Sequence, residues 1–360
     1  MIKAVWLTNV DSQVLYSRDR LAVGLQQLHA LGFNTIYPAV WQRGFTLYPS
    51  SIAEIWTGVS IMPNSPFVGR DFLAEIIELA IPLNMRVIPW FEYGLMLPPQ
   101  SPIAVKFPEL ISLDAKGNRQ RTIAASGKQD PNIWLNPCMP QVQGFLVDLI
   151  TDLVQRYQVA GIQLDDHFGF PHELGYDKFT QDLFKQQRGK IAPIDHSSSV
   201  WLDWGCNIVT GLLDRITRSV KHVRSSSIIS VSPNPLKFSR TNYLADWQAW
   251  YKMGSIDELV LQVYRDNLLS FSGELNKPEI RSIRQQIPTL IGILTGLKSK
   301  PVDDETIEGQ IAATLKAGTV DGSDRGFAGT AYFSYETVFH QQLAPSIIAR
   351  SQEGLDRVFG

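Results

Sequence analysis

Asp165 and Asp166 stand side by side near the end of residues 159–168, Val-Ala-Gly-Ile-Gln-Leu-Asp-Asp-His-Phe, and His167 follows them directly. Neighbouring carboxyl groups can share acid–base work when their surroundings keep one protonated and leave the other charged. Glycosidic bond cleavage needs that division. One carboxyl group gives a proton to the leaving oxygen, and the other attacks the anomeric carbon or activates water. Read as a strand, the segment sends Ile162 and Leu164 to one face and Gln163 and Asp165 to the other. Asp165 then shares the inward face of Gln163. Asp166 takes the opposite parity, where it would hold a loop, a helix terminus or an arginine.

A short strand with this pattern suits the inner wall of a parallel barrel, where the carboxyl ends of the strands carry the chemistry. The rest of the chain supplies matching units. β-rich segments are predicted at 2–10, 33–40, 86–91, 228–231, 259–264, 289–294 and 326–335. Amphipathic helices are predicted at 18–31, 71–83 with Asp71 as N-cap, 141–157, 176–187, 200–224, 244–253, 279–286, 303–317 and 340–349. Strands that alternate with helices make a parallel sheet, because parallel pairing needs crossovers. Eight such units, with no break in composition, predict a single (β/α)8 TIM barrel over residues 1–360. An open doubly wound sheet would want a glycine-rich phosphate turn after the first strand, and Val10-Asp11-Ser12-Gln13 has no glycine. Long insertions at about 41–69, 95–140 and 169–199 follow strands two, three and four. Loops of that length in a compact domain tend to serve a site.

A barrel gathers its strand ends on one face. The residues delivered there include Asn9, Trp41, Arg43, Trp90, Glu92, Tyr93, Asp165, Asp166, His167, Asn234, Gln262, Tyr264 and Glu336, with Trp134 and Asn136 from the second insertion. Carboxylates ringed by aromatic, amide and arginine side chains suit a sugar, whose C–H faces stack and whose hydroxyls need polar partners. Asp165 is expected as nucleophile or general base and Glu336 or Glu92 as proton donor, with Asp166 beside them. Strand three adjoins strand four, so Glu92 would lie near Asp165; Glu336 would stand farther off across the barrel. Trp41, Trp90, Trp134 and Tyr264 are expected to form sugar platforms. Asn9, Arg43, Asn136 and Gln262 would grip hydroxyls, and Tyr93, His167 and Asn234 would line the same mouth. Trp201, Trp204, Trp247 and Trp250 lie at helical spacings and read as core.

Composition narrows the alternatives. A formal net charge of −2 offers no field for a polyanion, so no nucleic-acid partner is expected. Cys138 and Cys206 have no second ligand at metal spacing and read as free thiols. No window reaches the roughly 18 apolar residues of a membrane span. The amino terminus lacks an apolar core of signal-peptide length, which predicts a cytoplasmic protein, with export of a longer precursor left open. No metal or cofactor is expected, because three consecutive residues on an extended strand diverge and His29, His172, His196, His222 and His340 lie off the strand ends. A glycan-binding barrel without catalysis and, behind it, a metal-dependent hydrolase are the other readings. Oligomeric state is not legible.

The motifs also carry a resemblance. Ala4-Val5-Trp6-Leu7-Thr8, Val40-Trp41-Gln42-Arg43-Gly44, Pro89-Trp90-Phe91-Glu92-Tyr93-Gly94, Trp134-Leu135-Asn136-Pro137, Gly161-Ile162-Gln163-Leu164-Asp165-Asp166 and Gln262-Val263-Tyr264-Arg265 fall in one order over residues 2–336. In these the chain resembles the bacterial glycosyl-hydrolase-like family ten, a TIM-barrel group distinct from the family-ten xylanases. The resemblance implies a barrel similar to glycosidases, in a family of which some members act on bacterial cell-wall glycan strands and many are exported. It also implies that the carboxylate at the end of strand four, Asp165, is the nucleophile. The family usually reads His-Leu-Asp-Asp-Tyr where this chain has Gln163-Leu164-Asp165-Asp166-His167. Both departures flank the carboxylates, which implies a different substrate choice.

Overall fold

The computed structural model describes residues 1–123, 126–297, 300–317, 325–339 and 352–360. One sheet organises them. Its strands are β1 (Ile2–Leu7), β2 (Thr35–Pro38), β3 (Arg86–Val87), β4 (Trp90–Phe91), β5 (Gly161–Asp165), β6 (Ile228–Ser232), β7 (Glu258–Gln262), β8 (Thr289–Leu294) and β9 (Gly329–Phe333). They lie in the order β3-β2-β1-β9-β8-β7-β6-β5-β4, every pairing parallel.

β3 and β4 are two halves of one predicted strand, interrupted at Ile88-Pro89, where proline has no N–H to donate. The first half pairs with β2, and the Ile88 N–H continues that ladder to the Ile36 carbonyl at 3.0 Å. The second pairs with β5, Phe91 opposite Leu164, and the Gln163 N–H reaches the Pro89 carbonyl at 2.8 Å. The parallel sheet therefore curls, and residues 86–91 bond to both of its ends.

Helices cover the outside of the sheet, among them Arg18–Ala30, Phe72–Ala80, Pro140–Arg156, Ser199–Val223, Pro278–Gln286 and Asp304–Lys316. Asp71 caps the second, accepting from the Ala74 N–H at 3.1 Å. Pro140 opens the third at its first turn, where a missing N–H costs nothing. Trp201, Trp204, Trp247 and Trp250 are buried, and Cys138 and Cys206 are free and buried. The predicted helix at 244–253 is shorter, Trp247–Lys252, and a helix Leu236–Tyr243 precedes it. Leu244 sits between them at φ 53°, a left-handed conformation that ends the first helix. The helix predicted at 340–349 lies outside the described residues. Among the described residues no helix is long and apolar enough to cross a membrane.

Inside the sheet, the Trp6 indole N–H donates to Gln163 Oε1 at 2.7 Å, and Gln163 Nε2 donates to Ser230 Oγ at 3.0 Å. Gln163 thus faces inward, as its parity requires, and Asp165 two residues on opens at the same face. Above this layer Trp6, Trp90 and Phe333 pack with ring centroids 6.1–6.4 Å apart.

Candidate active site

β5 ends at Asp165, and Asp166–Phe168 forms a single 3-10 turn. Strand alternation stops there. Side chains expected to diverge converge instead. Asp165 is 8% exposed. Its Oδ1 accepts from Gln262 Nε2 at 2.7 Å and from Ser232 Oγ at 3.0 Å. Asp166 Oδ2 accepts from Asn234 Nδ2 at 2.7 Å. The remaining oxygens turn toward one ring nitrogen: His167 Nδ1 is 3.4 Å from Asp166 Oδ1 and 3.8 Å from Asp165 Oδ2. Nδ1 also lies 3.1 Å from the Glu92 carbonyl oxygen.

Burial pushes the Asp165 carboxyl well above the usual carboxylate range, Asp166 adds to the push, and His167 pulls the other way. Burial alone would lower the His167 imidazole, but Asp166 and Asp165 outweigh it and raise it. One atom from each of Asp165, Asp166 and His167 lies within 4.8 Å of the others, a spacing the strand geometry had not allowed. That set does not fit a cation as it stands. The nitrogen that faces both carboxylates also faces a carbonyl, which can only accept, so Nδ1 carries a proton.

Glu92 follows Phe91, whose partner across the ladder is Leu164, so it stands level with Asp165. Burial raises the Glu92 carboxyl to about 8; Arg43 pulls it down and Asp166 pushes it up. Its Oε2 is buried with no hydrogen-bond partner. Glu92 also acts on the charge of Asp165. The neighbouring Tyr93 ring lies 6.1 Å from the His167 ring. Arg43, exposed, occupies a left-handed position at φ 53° and with Gly44 turns Trp41–Gln42 back along Phe45–Thr46. Asn9 Nδ2 donates to Gln42 Oε1 at 3.3 Å. Burial, with Asp165 and Asp166 behind it, holds the Tyr264 phenol far above its usual range, and its ring lies 6.2 Å from Phe333.

Other expected members lie elsewhere. Glu336 is 2% exposed and its Oε1 accepts from Ser12 Oγ at 2.8 Å and the Gln13 N–H at 3.3 Å, so it fastens the loop after β1. Trp41 is fully buried; its indole N–H donates to the Gly94 carbonyl at 3.1 Å and its ring packs on Phe145. Trp90 is buried against Trp6 and Phe333 inside the sheet. Trp134 is buried under the Arg121 guanidinium, 5.3 Å away. Asn136 is fully buried and ties Asp177, Thr180 and the Cys138 N–H together. These five fold the insertions and the interior rather than offering surface to a sugar. Gln262 holds Asp165 rather than a hydroxyl.

Ser232 was not anticipated, although it shares the inward parity of Ser230 and pairs with Asp165 in register. Arg121 had no sequence signal. It binds Asp130 at 3.1 Å, Glu173 at 3.2 Å and the Tyr243 hydroxyl at 3.0 Å, clasping the insertion at 95–140 to that at 169–199.

The family described as Glycosyl hydrolase-like 10 matches residues 1–311. The chain is 22% identical over 294 residues to "Glycosyl hydrolase DigH" of Escherichia coli K12, covering 73% of this chain and 62% of that protein. It is 24% identical over 294 residues to "Glycosyl hydrolase YngK" of Bacillus subtilis 168, covering 73% and 54%. The chain thus reaches less than two thirds of the length of these relatives. Among solved structures it is similar to the PgaB (BpsB) glycoside hydrolase domain from Bordetella bronchiseptica, with a TM-score of 0.68, 11% identity and coverage of 95% and 96%. It is also similar to the catalytic domain of a beta-amylase from Paenibacillus polymyxa, with a TM-score of 0.64, 9% identity and coverage of 99% and 97%. At such identities these two speak for the fold.

Proposed function

The chain belongs to the glycosyl hydrolase-like 10 family, and from that premise we propose that it is a glycoside hydrolase acting on an oligo- or polysaccharide. The observation that carries this reading is the placement of Glu92 beside Asp165 on adjacent strand ends, one carboxyl with a free buried oxygen, the other gripped by donors. Glu92, raised to about 8, holds its proton at neutral pH and gives it to the glycosidic oxygen. Asp165, fixed by Gln262 and Ser232, attacks the anomeric carbon or activates water. Asp166, held by Asn234, shapes the field between them. Tyr93, Tyr264, Arg43 and Asn9 line the mouth toward the sugar. Hydrogen bonds on both edges of residues 86–91 support a closed eight-stranded barrel as one domain, in which this mouth is the C-terminal face.

The test is reducing-end release from a panel of polysaccharides, bacterial cell-wall glycan included, by the wild type and by Asp165→Asn. Turnover by the wild type and its loss in a variant that keeps its circular dichroism spectrum supports the reading. A folded, fully active Asp165→Asn overturns the role of Asp165. Tight glycan binding without turnover by the wild type would make the barrel a binding module.

A further inference from the structure

The mechanism asks Asp165 to be charged, while its position opposes charge. It is nearly closed off from water, and a second carboxylate follows it in the chain. The two donors on its Oδ1 are neutral, an amide and a hydroxyl. Its other oxygen has no such donor among the contacts described above. It faces His167 Nδ1, the nitrogen that Asp166 Oδ1 also faces.

The imidazole is held there by the backbone. Nδ1 donates to the Glu92 carbonyl at 3.1 Å. The Leu95 N–H donates to the His167 carbonyl at 3.0 Å, which locks the turn against the loop after β4. Gly94, at φ 49°, lies between them, and a Cβ there would stand 2.5 Å from the Phe168 nitrogen and 2.6 Å from the His167 oxygen. Only glycine lets the two segments approach this closely. The side chain is 33% exposed. Nε2 has no partner among the contacts described and is not among the sealed unpaired atoms, so it can take a second proton from solvent.

We propose that His167 is a positioning residue for the acid pair: with its Nδ1–H held by the Glu92 carbonyl, the ring stands 3.4 Å from Asp166 Oδ1 and 3.8 Å from Asp165 Oδ2, and as an imidazolium it keeps Asp165 ionised and aimed. This deepens the glycosidase reading and rests on it for the meaning of the charge. The charged and titratable groups around the ring are Asp165 and Asp166 on its own element, Glu92 and Tyr93 from the loop after β4, and Asp130 from the second insertion. Arg43, which acts on Glu92 and Tyr93, brings an opposing positive charge to that side, but Asp165, Asp166 and Asp130 all favour the imidazolium.

His167→Asn tests this, because the asparagine amide can replace the Nδ1–H and cannot carry its charge. Losing a cation next to a carboxylate makes the anion harder to form. The acid limb of kcat/KM, below which Asp165 is protonated, therefore moves to higher pH, by about one unit. Turnover on that limb then falls about tenfold for each unit of the move, in kcat rather than KM, with the alkaline limb left in place. A uniform loss at every pH, with the limb unmoved, overturns the proposal. The 13C carboxyl titration of Asp165 in wild type and His167→Asn needs no turnover and so separates this inference from the glycosidase reading. Upward displacement in the variant supports it, and an identical titration overturns it even if no glycan is cleaved.

Discussion

Two groups of buried acid occupy opposite ends of the same sheet interior, and they are built differently. At the base, Glu258 is 2% exposed and fully engaged. Its Oε1 accepts from the Tyr37 hydroxyl and from Ser230 Oγ, each at 2.9 Å, and Oε2 lies 3.5 Å from Arg86. At the mouth, Glu92 keeps an unpartnered oxygen, and Asp165 and Asp166 share one imidazole. A buried acid with every valence met holds the fold. Glu92 and Asp165, whose carboxyl groups are pushed upward, are where we place the chemistry; Glu336 is also raised and keeps an unpartnered Oε2, and its bonds to Ser12 and Gln13 set it apart.

Substitutions should break the two ends in different ways. At the mouth, Asp165→Asn and Glu92→Gln should each lower polysaccharide turnover by roughly 10²–10⁴, the usual worth of a positioned acid or base, with the thermal midpoint little changed. At the base, Glu258→Ala should instead cost about 2–3 kcal/mol in denaturant unfolding, because the buried Tyr37 and Ser230 hydroxyls both lose their acceptor, Ser230 keeping only the bond from Gln163. A Glu258→Ala protein as stable as wild type would erase the contrast.

The pH dependence sharpens it further. Glu92 works as the protonated acid, so kcat/KM should fall as pH rises through about 8, where that carboxyl loses its proton. The limb should be absent from the residual activity of Glu92→Gln. A profile flat to pH 9 would contradict the assignment. The smallest effect belongs to Glu336→Gln. The amide still accepts from Ser12 and Gln13, so the loss of charge on those bonds should cost no more than about 1 kcal/mol of stability, while glycan turnover persists.

Local pattern carried much of this into the sequence. Strand parity put Gln163 inside and Asp165 at the mouth, and both lie there, because alternation holds as long as the chain stays extended. The same rule failed one residue later, where the 3-10 turn brought Asp166 and His167 back toward Asp165. Trp41, Trp134 and Asn136 misled for another reason. Each sits in a long insertion, and its role is fixed by a partner such as Gly94, Arg121 or Asp177 that is distant in the chain. Nothing local shows whether such a loop lies open or folds back. Strand order left the proton donor open between Glu336 and Glu92; the ladder from Phe91 to Leu164, which sets Glu92 level with Asp165, is what favours Glu92 in our reading.

The pairing of Glu92 as acid with Asp165 as base or nucleophile is tested most directly by changing the leaving group. Glu92→Gln should be assayed on a polysaccharide and on an activated aryl glycoside of the same sugar, whose phenolate departs without a proton. The account predicts that polysaccharide cleavage collapses while aryl glycoside cleavage survives. Equal retention or equal loss on both substrates would contradict it.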